Sequence, residues 1–101
     1  MNTLLQTSIF SDWLRQLKDY QGKTAIIRRI TRAQSGNFGD CKPVGSGVQE
    51  MRIPTGPGYR VYYLQTGDTV YLLLVGGDKG SQKADIQAAQ RMAADIERYL
   101  P

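Results

Sequence analysis

This chain has no histidine, one cysteine and no long apolar run, and each absence removes a class of protein. Without histidine no Ser–His or Cys–His nucleophile pair can form, and the ordinary zinc sites lose a principal ligand. A single cysteine, Cys41, excludes an intramolecular disulfide framework and fits a reducing cytoplasm. Lacking a neighbouring base, its thiol is a poor nucleophile. The longest apolar run, Val70 to Val75, is of strand length, far below the roughly 20 residues that span a bilayer. Met1-Asn2-Thr3-Leu4-Leu5-Gln6 lacks the basic start and apolar stretch of a secretion signal. The carboxylates are scattered, with no spacing that suggests a glycosidase pair or a cation cage. A cytoplasmic protein with no membrane segment, metal or cofactor is expected.

What is present is a basic chain of single-domain size, residues 1–101. Lys and Arg number 13 against 9 acids, a net charge of +4 that favours polyanionic partners where the charges cluster. Thr3 to Gln6 reads as an edge strand. From Ile9 to Asp19 the residues Ile9, Phe10, Trp13, Leu14 and Leu17 form a helical stripe, with Thr7 or Ser8 placed to cap it. Tyr20-Gln21-Gly22 reads as a break. The second helix, Lys23 to Gln34, then points Ala25, Ile26, Ile30 and Ala33 inward and Arg28, Arg29 and Arg32 outward. Two helices so closely joined form an antiparallel hairpin.

Turn residues from Ser35 to Gly47 imply a loop. Val48 to Ile53 alternates apolar and polar, Pro54-Thr55-Gly56-Pro57-Gly58 is a turn, and Tyr59 to Gln65 is the returning strand. Thr69 to Val75 is apolar enough for a central strand covered on both faces. Gly76-Gly77-Asp78-Lys79-Gly80 leaves the sheet, and Ser81 caps a last helix carrying Ile86, Ala89, Ala93, Ile96 and Leu100. The expected class is α+β, with an N-terminal helical hairpin and a C-terminal helix covering one face of a small, mainly antiparallel sheet.

The glycine-rich stretch Gly76 to Lys83 lies between strand and helix but lacks the Lys-Ser or Lys-Thr pair of a phosphate loop. Its lysines, Lys79 and Lys83, still suit a phosphate near a helix start. Arg52 and Arg60 lie on neighbouring strands across the Pro54–Gly58 turn, and antiparallel pairing gathers them with Lys79 if the register allows. Guanidinium and ammonium groups so placed suit a phosphate backbone and offset charge developing on a scissile phosphate. Tyr59, Tyr62, Tyr63 and Tyr71 interleave with them; alternation places Tyr59 and Tyr63 opposite Tyr62, most as core and one available to stack on a base.

Gly36-Asn37-Phe38-Gly39-Asp40, Glu50-Met51-Arg52-Ile53, Gly56-Pro57-Gly58-Tyr59-Arg60-Val61-Tyr62-Tyr63 and Gly76-Gly77-Asp78-Lys79 with Gln82 and Asp85-Ile86 form a recognisable set. Over nearly the whole chain they resemble the HigB-type addiction module killer branch of the RelE/ParE toxin superfamily. The resemblance implies the toxin of a type II toxin–antitoxin pair that cuts mRNA on the ribosome, with no cofactor or metal. Its implied partner is an antitoxin with a helix-turn-helix, the two together binding operator DNA. It also implies catalytic roles for Arg52, Arg60 and Lys79 and RNA contacts for Gln82, Lys83 and Tyr59. The chain departs from the pattern near Asp85 and Ile86, where RelE-like toxins often carry a catalytic tyrosine and some HigB toxins use histidines. Two alternatives remain beside it: ParE-like inhibition of DNA gyrase, which the same fold supports, and a non-enzymatic module acting as co-repressor.

Overall fold

Alternation along the central strands creates two apolar faces, and the helices divide between them. The computed structural model describes residues 1–101. The elements in chain order are β1 (Thr3–Gln6), α1 (Ser8–Gln16), α2 (Tyr20–Gln34), β2 (Cys41–Pro43), β3 (Gln49–Ile53), β4 (Tyr59–Gln65), β5 (Val70–Asp78), a 3-10 turn (Lys79–Ser81), α3 (Gln82–Ala94) and a final 3-10 turn (Ile96–Arg98). One five-stranded sheet has the order β1-β5-β4-β3-β2. All pairings are antiparallel except β1 with β5, which runs parallel from Thr3 opposite Val70 to Gln6 opposite Leu73. This α+β topology is consistent with the RelE/ParE-like arrangement expected above.

On one face, Phe10 of α1 and Ile26, Ile30 and Ala33 of α2 pack on Met51, Ile53, Tyr59, Val61, Tyr63 and Leu73. On the other, Ala89 and Met92 of α3 pack on Val48, Tyr62, Leu72, Leu74 and Val75. The expectation that all helices cover one face is therefore corrected. A nine-residue β5 with apolar residues pointing both ways exposes two faces to water unless each has its own cover. Tyr62 does lie opposite Tyr59 and Tyr63, as alternation requires.

A β-bulge in β5 sets the geometry around the candidate site. Tyr62 pairs with Val75 but Tyr63 pairs with Leu73, which leaves Leu74 as the extra residue. Strict alternation from Leu72 and Leu74 would turn Gly76 toward α3. The bulge instead turns Val75 and Gly77 that way, and Gly76 toward α1. Both glycines are needed there: a Cβ on Gly76 would run into the Trp13 ring, and one on Gly77 into the Asp85 carboxylate and Ser81.

Several local expectations are revised. Tyr20-Gln21-Gly22 is not a break but the first turn of α2, because Asp19 is the N-cap and its Oδ1 accepts from the Gly22 N–H at 3.1 Å. Cys41–Pro43, expected in a loop, is the edge strand β2, paired with Gln49–Met51. Gly76, Gly77 and Asp78 stay in β5 rather than leaving the sheet. Asp78, not Ser81, makes the side-chain cap: it accepts from the Gly80 N–H at 2.8 Å, while Ser81 makes no such bond to α3. The last helix also stops at Ala94, and Leu100 lies beyond it, 40% exposed.

Thr7 is the α1 cap. Its Oγ1 accepts from the Phe10 N–H at 3.0 Å and donates to the Leu74 carbonyl at 2.7 Å, which ties the helix start to β5. No helix is long and apolar enough to cross a membrane.

Candidate functional site

Register brings the basic residues together. In the β3–β4 pair Arg52 is directly opposite Arg60, and in the β4–β5 pair Arg60 is opposite Gly77. Like charges placed directly across a ladder repel, so an Arg–Arg pair is retained against its own electrostatics unless anions sit between or beside the two. Two carboxylates supply part of that compensation. Arg52 Nη2 donates to Asp40 Oδ1 at 3.0 Å, and Arg60 Nε faces Glu50 Oε2 at 3.8 Å.

An open pocket of about 320 Å³ is lined by Arg52, Arg60, Lys79 and Tyr59 with Asp40, Ile53, Pro54 and Gly58. The structure thus gathers Arg52, Arg60 and Lys79 around one cavity. It places the other candidate residues differently. Tyr59 is only 4% exposed; its ring packs edge-on to Trp13 and its hydroxyl donates to Asp19 Oδ2 at 2.7 Å. A base finds no free ring face there. Gln82 turns inward, where its Nε2 donates to Glu50 Oε2 at 2.9 Å. Lys83 is exposed in the first turn of α3 and lines no pocket.

Arg29 is the clearest correction to the helix pattern. Expected on the solvated side with Arg28 and Arg32, it is buried, with Nη1 donating to the Arg52 carbonyl and Nη2 to the carbonyls of Phe38, at 2.9 Å, and Asp40, at 3.4 Å. Backbone carbonyls of the 35–40 loop and of β3 converge on this guanidinium, and Arg29 donates to three of them at once. It therefore holds Asp40 beside Arg52. Arg28 and Arg32 line a second groove of about 420 Å³, which shares Asp40, Ile53 and Pro54 with the first. The basic surface is continuous from β4 to α2.

Sequence reasoning also missed Glu50 and Asp85. Glu50 is fully buried, and Oε2 accepts from the Tyr62 hydroxyl at 2.8 Å as well as from Gln82. Its parity was a usable signal, because Val48, Glu50 and Arg52 share one face and an acid between them needs a partner. Asp85 sits over Gly77, and its Oδ2 accepts from the Ser81 hydroxyl at 2.6 Å. Burial raises its pKa above the ordinary aspartate value, with Ser81 opposing and the charge of Asp78 adding to the rise. No three metal-ligating side chains of the His, Cys, Asp and Glu types come together.

Fold and site define a small α+β domain with a cationic pocket at the β3–β4 turn and a basic groove running from it. No family model matches the chain. It is 44% identical over 90 residues to an uncharacterized protein of Haemophilus influenzae, a similarity that covers 89% of this chain and 91% of that protein. The chain belongs to that protein's family.

Proposed function

We propose that this protein is the toxin of a bacterial type II toxin–antitoxin pair, a HigB-type member of the RelE/ParE superfamily that cuts mRNA on the ribosome. The observation that carries the reading is the convergence of Arg52, Arg60 and Lys79 on one pocket. In the reaction the ribose 2′-oxygen bonds to the adjacent phosphorus, the 5′-oxygen leaves with its electron pair, and a 2′,3′-cyclic phosphate remains. The pocket must offset negative charge on the phosphorane, accept the 2′-hydroxyl proton and supply one to the leaving oxygen.

Arg60 and Arg52 serve the first need, since a planar guanidinium matches two phosphate oxygens at once. Lys79, exposed at the rim, stabilises or protonates the leaving oxygen. For the remaining role this chain offers no tyrosine or histidine near Asp85 and Ile86. It offers Asp85, a carboxylate whose pKa burial has raised and which sits over the register partner of Arg60. Raising a carboxylate's pKa makes it a stronger base. Partners on this reading are the ribosome with its mRNA, a helix-turn-helix antitoxin, and operator DNA bound only by the toxin–antitoxin complex.

Purified protein added to programmed ribosomes is expected to shorten the mRNA at defined positions and leave cyclic phosphate ends, and Arg60→Ala is expected to lose both cleavage and toxicity. Intact mRNA, with Arg60→Ala as toxic in cells as the parent, removes the reading. Double-strand DNA breaks on induction, with translation initially intact, would favour gyrase as the target. Growth unaffected by strong induction without a partner would favour a non-enzymatic module.

A further inference from the structure

Arg60 and Glu50 form a pair that is close but incompletely made. Arg60 has only 13% of its side chain exposed, and Glu50 has none. Their nearest approach, Nε to Oε2, is 3.8 Å, beyond hydrogen-bond length. Arg60 Nε and Glu50 Oε1 are both buried without a hydrogen-bond partner. Burying two charges in this way is costly, and an apolar pair of similar size would fill the space without that cost. The arrangement therefore calls for a reason beyond stability.

The reason lies in what each group leaves free. Glu50 is held from two sides, by the Tyr62 hydroxyl on β4 and the Gln82 amide at the start of α3. Arg60 is held at one end by its Nη1 bond to the Gly58 carbonyl at 2.8 Å, while Nε is turned toward Glu50. These two restraints fix the plane of the guanidinium in its position on the pocket wall. We propose that Glu50 is the positioning residue of Arg60: its carboxylate, locked by Tyr62 and Gln82, aims the free edge of the guanidinium into the pocket to receive phosphate oxygens. The proposal rests on reading the pocket as a phosphate site. It gives Gln82 a different part from the RNA contact expected of it, as a strut between α3 and the buried carboxylate.

Simple charge attraction predicts the opposite sign of effect, and this makes the idea testable. Removing a negative charge next to an anion site strengthens anion binding if Glu50 acts through its field alone. If Glu50 instead sets the direction of Arg60, the isosteric Glu50→Gln weakens binding, because the donor edge is no longer held.

The test uses the full chain, with inorganic phosphate as the ligand and the Arg60 Nε–H followed by ¹⁵N NMR. In the parent the Nε–H is expected to exchange slowly and to shift on phosphate addition. Glu50→Gln is expected to speed that exchange and to weaken phosphate binding, each by about tenfold, because the buried guanidinium loses the charge that faces its Nε. Gln82→Leu, at the half-exposed end of the network, is expected to give about threefold in the same direction. Unchanged exchange, or tighter phosphate binding in Glu50→Gln, overturns the proposal. If Glu50→Gln does not fold, Gln82→Leu decides by the same two readings. Neither measurement involves RNA or ribosomes, so a parent protein that leaves mRNA intact removes the functional reading alone.

Discussion

Arg60 occupies the middle of a cross-strand row, between Arg52 on β3 and Gly77 on β5. Arg60→Ala is expected to lower single-turnover cleavage by about 100- to 1,000-fold, the usual loss when one preorganised transition-state donor is removed. Arg60→Lys should not restore it, since an ammonium cannot keep both a pocket-facing fork and an Nε directed at Glu50. Retention of full rate by either variant would remove Arg60 from the reaction. The Tyr59–Asp19 hydrogen bond makes a different prediction, about pH. Burial, and then donation to Asp19, pushes the Tyr59 hydroxyl up to about 12 from 10.0, and the same bond lowers Asp19 from 3.8. A raised folded-state value stabilises fully below the unfolded value, so the Tyr59 contribution holds below pH 10 and is lost as pH rises through 12. A lowered value works the other way: the Asp19 contribution is present above 3.8 and is lost as pH falls through its folded value. Unfolding measured across pH should show Tyr59→Phe flattening both limbs. An unchanged acid limb would show that Tyr59 does not hold Asp19 in solution.

At the scale of elements, two buried polar side chains join segments that periodicity treats as separate. Arg29 connects α2 to the 35–40 loop and to β3, and through Asp40 it reaches Arg52. Arg29→Met keeps the volume but removes the guanidinium from three carbonyls, of which Asp40 keeps the Arg52 N–H and Phe38 the Cys41 thiol, and is expected to cost about 2 kcal/mol in denaturant unfolding. A variant as stable as the parent would mean that water or the loop itself satisfies them. Thr7 connects α1 to β5, and Thr7→Ala loses a cap and orphans the Leu74 carbonyl, with an expected cost of about 2 kcal/mol. Gly77→Ala acts on the site more than on stability. Its methyl displaces Asp85 and Ser81 from beside the Arg60 row, so cleavage should fall while phosphate binding at Arg60 persists.

Over the whole molecule, charge is distributed unevenly. The groove from Lys79 through Arg60 and Arg52 to Arg32 and Arg28 carries a run of bases, while Asp40 is the one acid among its lining residues. Binding of single-stranded RNA should therefore weaken steeply with salt. In an Arg28→Gln, Arg32→Gln double variant the slope of log affinity against log salt should fall by roughly 1.4, at about 0.7 for each phosphate no longer neutralised. An unchanged slope would confine the RNA to the first pocket and return Arg28 and Arg32 to the role of a solvated helix face.

Local chemistry was enough to place the strands at the chain start and from Val48 to Val75, the helices around Trp13, Ile30 and Ala89, and the turn at Pro54–Gly58. Each is declared by spacing or turn residues within a dozen positions. The same local signals named Arg52, Arg60 and Lys79, because the positive charges stand out along short strands. Tertiary structure alone decided which face each helix covers, that Arg29 turns inward, that Gln82 braces Glu50 and that Asp85 rests on Gly77. Each of those outcomes depends on strand register, a single bulge and the pairing of polar groups far apart in the chain. The free energy that selects among them comes from interactions formed only after the sheet is assembled, and no pattern confined to one segment can report it.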